Sequence, residues 1–250
     1  MTQYLGAGAV LIVLLASGAM AQDRVYQFDG FTEVEVAEGV SATLNEGPFQ
    51  VEATARRGNI DRLVIEQDGD VLRIERRAPV IRSALNSNDQ FEVEIHMPKL
   101  IRVESRAGAS VIAEVPSSVE AFEGEARHGA SLRIASITAD ETTLYASSGA
   151  SLQFDGSAGE TDVTVENGSS MRLSGDCADL SAEIRAGASL RAGEFQCHNL
   201  DISARGGAEA VVYGDQTASV EARFGASVRL LGDPVIEDMG SGFGGDIRSN

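Results

Sequence analysis

The sequence has no tryptophan, and aromatic residues make up only 5% of its 250 positions. A core with so few rings must be thin and built of Ala, Val, Leu and Ile, and the 27 glycines point the same way. Tightly stacked coils suit that composition better than a sandwich. Basic residues are scarce too: 20 Lys and Arg stand against 38 Asp and Glu, a formal charge of −18. That balance argues against nucleic acid, whose phosphates need a basic footprint. It favours solubility, and divalent cations or basic partners. After the first 21 residues no run is apolar enough to cross a membrane. Cysteine is limited to Cys177 and Cys197.

The first 21 residues carry no charged side chain. Leu5 to Leu15 is an apolar run, and Ala19-Met20-Ala21 fits a small-x-small cleavage site ahead of Gln22. Residues 1–21 are expected to be a signal peptide, with a retained anchor as the competing reading. The mature chain is then exported, to the periplasm or the cell surface, with no stable membrane span. No cysteine sits at the cleavage point, which argues against a lipid anchor there.

What the mature chain has in abundance is one tripeptide. Gly108-Ala109-Ser110 returns as Gly129-Ala130-Ser131, Gly149-Ala150-Ser151, Gly168-Ser169-Ser170, Gly187-Ala188-Ser189, the degenerate Gly207-Ala208-Glu209, and Gly225-Ala226-Ser227. Successive glycines lie 21, 20, 19, 19, 20 and 18 residues apart. A fixed period near 20 is the mark of a stacked-coil architecture. Counting from each glycine, positions +1, +3 and +5 are small or apolar (Ala130, Leu132, Ile134), as are −5 and −3 (Val163, Val165), while even positions are mostly polar. Period two means strands with one buried and one wet face. Short Gly/Asp/Ser returns such as Asp155-Gly156-Ser157 and Ser174-Gly175-Asp176 supply the turns. The fold expected is an all-β, right-handed parallel β-helix. An up-and-down barrel or sandwich shares the alternation but needs no such repeat.

Residues 22–243 form one domain in this reading. Residues 22–98 keep the alternation without the tripeptide and are taken as irregular first coils and cap; 99–243 carry the repeats; 244–250 are expected to fray. The segment 78–90 is the longest loop candidate.

Taken together, these residues resemble the putative auto-transporter adhesin head GIN domain family, a domain of unknown function in bacterial envelope proteins. The resemblance rests on the opening Phe28-Asp29-Gly30-Phe31-Thr32-Glu33-Val34 and on the strand-Pro-Lys-Leu passage from Val93 to Val103. It rests also on the glycine tripeptides, and on Gly232-Asp233-Pro234 ahead of Met239-Gly240-Ser241-Gly242. The family usually has Ser-Gly-Ser-Gly where this chain has Ala-Gly-Ala-Ser or His-Gly-Ala-Ser. The resemblance implies an exported β-solenoid and little about chemistry. A self-contained autotransporter also needs a membrane barrel, for which these residues leave no room.

Three constellations stand out. Cys177 and Cys197 are one coil apart and align on Leu180 and Leu200, so both sulfurs share a rung position. Adjacent coils about 4.8 Å apart allow a disulfide, and an exported chain meets an oxidising compartment. Two reduced thiols, or a metal site with His198, are the alternatives.

The second is a pair of arginine columns. Arg133, Arg172, Arg191 and Arg229 share position +4, interrupted by Gln153 and Val211, beside Ser131, Ser170 and Ser189 at +2. Arg106, Arg127, Arg185, Arg205 and Arg223 share −2, with Glu104, Glu125, Glu183 and Glu221 two residues earlier. Such a face offers guanidinium forks and hydroxyls to an acidic envelope polysaccharide, or to an envelope protein; the bland alternative is a solvated surface of ion pairs. The third constellation is acidic: Asp176, Asp215 and Asp233 in Gly-Asp turns, with Glu194 nearby, resembles a calcium column but lacks the dense spacing of a calcium loop.

No catalytic set emerges. A polysaccharide lyase or hydrolase needs clustered carboxylates or a base beside them, and His96, His128 and His198 are scattered. The functional expectation is a non-catalytic envelope binding or scaffold module without cofactor or metal. Self-assembly through an exposed terminal rung is the alternative.

Overall fold

A computed structural model describes residues 22–77 and 89–249. The leader 1–21 and most of the loop candidate at 78–90 therefore lie outside the described residues. The molecule is a β-solenoid of about 7 turns, 75% strand, with no α-helix among the described residues.

The N-terminal part runs through β1 (Gln22–Tyr26), β2 (Glu33–Val36), β3 (Ser41–Glu46), β4 (Gln50–Arg57), β5 (Leu63–Asp68), β6 (Val71–Arg76) and β7 (Gln90–Met97). Next come β8 (Arg102–Arg106), β9 (Ser110–Glu114) and β10 (Ser117–Arg127). Then β11 (Ser131–Ser147), β12 (Ser151–Glu166), β13 (Ser170–Arg185), β14 (Ser189–Arg205) and β15 (Glu209–Arg223) each cover most of a coil. The chain closes with β16 (Ser227–Leu231), β17 (Val235–Gly242) and β18 (Asp246–Ser249).

From β8 onward the coils stack in parallel and in register. Ser131 pairs with Ser151, Ser151 with Ser170, and Ser170 with Ser189. Because side chains alternate faces, the apolar odd positions fall into inward columns. Leu132, Leu152, Met171, Leu190, Ala210 and Val228 form one such column, and all are buried. Each large member contributes about 1.5–3 kcal/mol by leaving water. The few rings serve as wedges: Phe154 lies 6.2 Å from both Phe122 and Phe195.

The repeated glycine makes each coil's tightest turn. Gly108, Gly129, Gly149, Gly168, Gly187, Gly207 and Gly225 all have φ between 71° and 76°. The residue before each is also at positive φ, as in His128, Ser148, Asn167 and Ala186. Positive φ at two consecutive residues is the pattern of a type I′ turn. Stacking binds the turns together: Gly129 N–H donates to the Ser148 carbonyl at 3.0 Å, and Gly149 N–H to the Asn167 carbonyl at 3.1 Å.

The first coils are not stacked in chain order. The coil β2–β3 is sandwiched between β6–β7 on one side and β8–β9 on the other, all parallel. Antiparallel strands finish that end: β5 on β6, β4 on β7, and β1 on β4. Ile60, Leu63 and Ile65 are buried there.

The opposite end is open. Within the segment expected to fray, Asp246–Ser249 form β18, which pairs with β16. The turn Phe243-Gly244 repeats the positive-φ pair, and the Phe243 ring stacks on Phe224 with centroids 5.2 Å apart. Ile236 and Met239 occupy the inward columns of Ala218 and Val220. They stay 40% and 43% exposed, since among the described residues no strand lies beyond theirs.

Candidate functional site

The glycine turn divides two flat faces of the solenoid, with positions −2 and −4 on its N-terminal side and +2 and +4 on its C-terminal side. The strands place an arginine column on each. Their electrostatics differ.

On the N-terminal side every arginine is matched. Arg106 meets Glu75 and Glu104, Arg127 meets Glu125, and Arg223 meets Glu221. Arg185 pairs with Glu166 at 2.8 Å and with Glu183 at 3.2 Å, and Glu183 also binds Arg205. Tyr145 donates its hydroxyl to Glu166 at 2.5 Å, while Arg127 lies over the Tyr145 ring at 4.7 Å. The tyrosine hydrogen bond, then the charge of Arg185, hold the Glu166 carboxyl below its ordinary range against the opposing effect of burial. The ladder begins with Arg102, ringed by Glu33, Glu35, Glu104, Glu123 and Glu125 within 3.9 Å. Burial opposes its charge, but the carboxylates outweigh that and raise its pKa.

On the C-terminal side Arg133, Arg172, Arg191 and Arg229 are exposed in one outward column. Arg133 pairs in register with Gln153, Gln153 with Arg172, Arg172 with Arg191, Arg191 with Val211, and Val211 with Arg229. Ser131 and Ser170 are exposed beside them and Ser189 is half-buried. Among the described residues Arg133, Arg172 and Arg191 have no ion pair. A shallow depression of ≈ 290 Å³ is lined by Ser151, Gln153, Ser170, Arg172, Ser189 and Arg191. A second of ≈ 200 Å³ adjoins Arg172, Arg191, Gly193, Glu194 and Val211. It lies where β14 carries extra residues after Ala192 and slips register against β15.

Two members of this column escaped the sequence reading. Arg248 on β18 stacks on Arg229, and Ile112 on β9 occupies the rung before Arg133. The signal for Arg248 was present: Phe243-Gly244-Gly245-Asp246-Ile247-Arg248 matches Phe224-Gly225-Ala226-Ser227-Val228-Arg229 residue for residue in type. At the N-terminal end the same face turns acidic, with Glu52, Glu92 and Glu94 beside Arg56.

Cys177 and Cys197 are joined in a disulfide between β13 and β14, with Cα atoms 4.5 Å apart, both buried. Beside the bridge, His198 Nδ1 lies 2.9 Å from Asp215. The acidic turn residues do not line up. Asp176 has Ser157 and Gln196 as its register partners, and it accepts a hydrogen bond from Ser157 at 2.6 Å. Among the described residues no group of three or more His, Cys, Asp or Glu is placed to hold a metal ion. His96, His128 and His198 lie on β7, in the turn before β11, and on β14, and are not brought together.

The stacked-coil fold recurs among known proteins. The sequence profile described as putative auto-transporter adhesin, head GIN domain, matches residues 30–234. The chain belongs to this family. The fold recurs in the crystal structure of a putative adhesin from Parabacteroides merdae, with a TM-score of 0.79, 14% identity, and coverage of 92% of this chain and 96% of that one. A putative adhesin from Parabacteroides distasonis gives 0.77, 13%, 92% and 97%. A putative lipid binding protein from the same organism gives 0.77, 15%, 92% and 96%. At these identities the likeness is one of fold. No curated protein matches the chain. The family is named for an adhesin head, and these neighbours as putative adhesins and a putative lipid binding protein.

Proposed function

We propose that this GIN-domain protein is an exported, non-catalytic module that binds an acidic envelope polymer along the face of Arg133, Arg172, Arg191 and Arg229, with Ser131, Ser170 and Ser189 donating alongside. The observation that supports this is the contrast within one molecule. Its charge is −18, every arginine of one column is neutralised by glutamate, and Arg133, Arg172 and Arg191 of the other column are left exposed and unpaired. Leaving cations unmatched on a carboxylate-rich protein is what an anion-binding face requires. The flat strands hold the guanidiniums in a row, so a long polymer can meet several at once, and their planar forks match carboxylates. Co-sedimentation with purified sacculi and with outer-membrane vesicles tests this. Saturable, salt-sensitive binding to one fraction, lost in Arg133→Ala/Arg172→Ala/Arg191→Ala, is expected; binding unchanged in that variant would sink the reading.

Self-association is a second reading, favoured by the open terminal coil with Ile236, Met239 and Phe243 exposed. Sedimentation velocity checks it, a concentration-independent monomer counting against it.

A further inference from the structure

Arginines stacked in register recur five times among the described residues: Arg106 on Arg127, Arg172 on Arg191, Arg185 on Arg205, Arg205 on Arg223, and Arg229 on Arg248. Stacked guanidiniums one strand spacing apart repel each other, and the molecule itself displays how it relieves that. In four of the five pairs a carboxylate binds at least one partner, and the acid two residues before an arginine supplies it. Glu104 serves Arg106, Glu125 serves Arg127, Glu183 serves Arg185, Glu221 serves Arg223, and Asp246 serves Arg248 at 2.8 Å. In the pair Arg185–Arg205 a single oxygen of Glu183 binds both guanidiniums.

Arg172 and Arg191 are the exception. They sit on the same two strands as Arg185 and Arg205, in direct register. The residue two before Arg172 is Ser170, and two before Arg191 is Ser189, so neither position carries charge. Both depressions on this face include both arginines. The disulfide between Cys177 and Cys197 joins the very coils that carry them, so their separation is set before any ligand arrives, which lowers the ordering cost of binding.

We propose that Arg172 and Arg191 form a carboxylate clamp, in which a carboxylate of the ligand takes the place that Glu183 fills between Arg185 and Arg205. This rests on the reading of the arginine face given above and names the chemical group that it holds. Arg133 stacks on Gln153 and Ile112 and has no arginine neighbour, so it adds a single contact at a distance.

The test uses NMR of the full chain, following the arginine Nε–Hε signals as sodium acetate replaces sodium chloride at constant ionic strength. The Arg172 and Arg191 signals should move together on one saturation curve, at acetate concentrations at least tenfold below those that move Arg133. Ser170→Glu places an acid where Glu183 stands relative to its arginines. Because Ser170 is exposed, that variant should fold normally and lose the acetate response at least tenfold, whereas Thr138→Glu, which adds the same charge at an exposed position of β11 out of register with both arginines, keeps it. The clamp is wrong if Arg172 and Arg191 respond no more strongly than Arg133. It is also wrong if Ser170→Glu keeps the response, or if Thr138→Glu abolishes it equally. Inorganic phosphate moving both signals while acetate leaves them still would overturn the carboxylate assignment. Envelope binding that persists while acetate is silent would sink the clamp alone, and a working clamp in a protein that binds no envelope fraction would sink the polymer reading alone.

Discussion

The two arginine columns lie on the same strands, either side of one turn, and are built from the same residue. Glutamate stands two places before Arg106, Arg127, Arg185 and Arg223 on one face, and serine two places before Arg133 (Ser131), Arg172 (Ser170) and Arg191 (Ser189) on the other, except that Gln153 takes an arginine's place between Arg133 and Arg172. On the glutamate face the charges satisfy each other, and exposed pairs of this kind contribute about 0–1 kcal/mol each. That face is wet, ordered and electrically quiet. On the other face Arg133, Arg172 and Arg191 have no ion pair among the described residues. A sheet with fixed spacing can therefore carry a paired ladder and a row of unpaired cations from nearly the same sequence pattern.

The largest effect should come from removing the open column. Arg133→Ala/Arg172→Ala/Arg191→Ala is expected to weaken envelope binding by about a hundredfold or more, since each charge-assisted contact contributes roughly 1.5–3 kcal/mol. Arg185→Ala/Arg205→Ala/Arg223→Ala should leave binding within about threefold, because those charges are already spoken for. Equal losses in the two triple variants, read by co-sedimentation, would erase the distinction between the faces.

Next in size is the disulfide, which supports both columns at once. Cys177→Ala/Cys197→Ala should cost about 3 kcal/mol in denaturant unfolding, the usual magnitude for a loop of this length. An unfolding curve that does not move would mean that the staple adds nothing to the stacked coils.

Acid should separate the faces, because carboxylates titrate and arginines do not. Glu166 has a folded pKa below its ordinary value of 4.5. Its contribution is therefore complete above that value and is lost as pH falls through the lowered folded value. Stability measured by melting should decline in that acid window, and Glu166→Gln should flatten the decline. The wild-type profile retained in Glu166→Gln would place the acid sensitivity elsewhere in the ladder.

The smallest effect concerns the turn that divides the faces. Ala186 sits at φ 54°, directly before Gly187, where an L side chain is strained by about 1–2 kcal/mol. Ala186→Gly should raise stability by up to about 1 kcal/mol, less the flexibility glycine adds to the unfolded chain. A loss of stability would show that the alanine methyl contributes packing that outweighs its strain.

Much of this was legible in the chain. The period of the glycines predicted the stacking, and the alignment of Cys177 with Cys197 on Leu180 and Leu200 predicted the bridge. The positions of Arg133, Arg172 and Arg191 predicted a column. Arg248 could have been found from the repeat after Phe243. The N-terminal coil order could not, since β2, β6 and β8 share the same alternation of buried positions (Val34 and Val36, Leu72 and Ile74, Val103 and Ser105), which says nothing about which neighbour each will choose. Nor could the pairing of individual charges, because Glu183 reaches Arg205 across a coil boundary, 22 residues further along the chain.

The sequence by itself determined the coil. Period-two alternation sorts side chains into core and surface, and a glycine every 20 residues or so sets where each coil turns, both through local backbone geometry. Tertiary structure alone decided the order of the first coils, the antiparallel strands that finish one end, and how Arg205, with no acid two residues before it, finds Glu183 of the preceding coil. Those depend on atoms brought together from different coils, and the distance between such atoms is written in no local stretch of the chain.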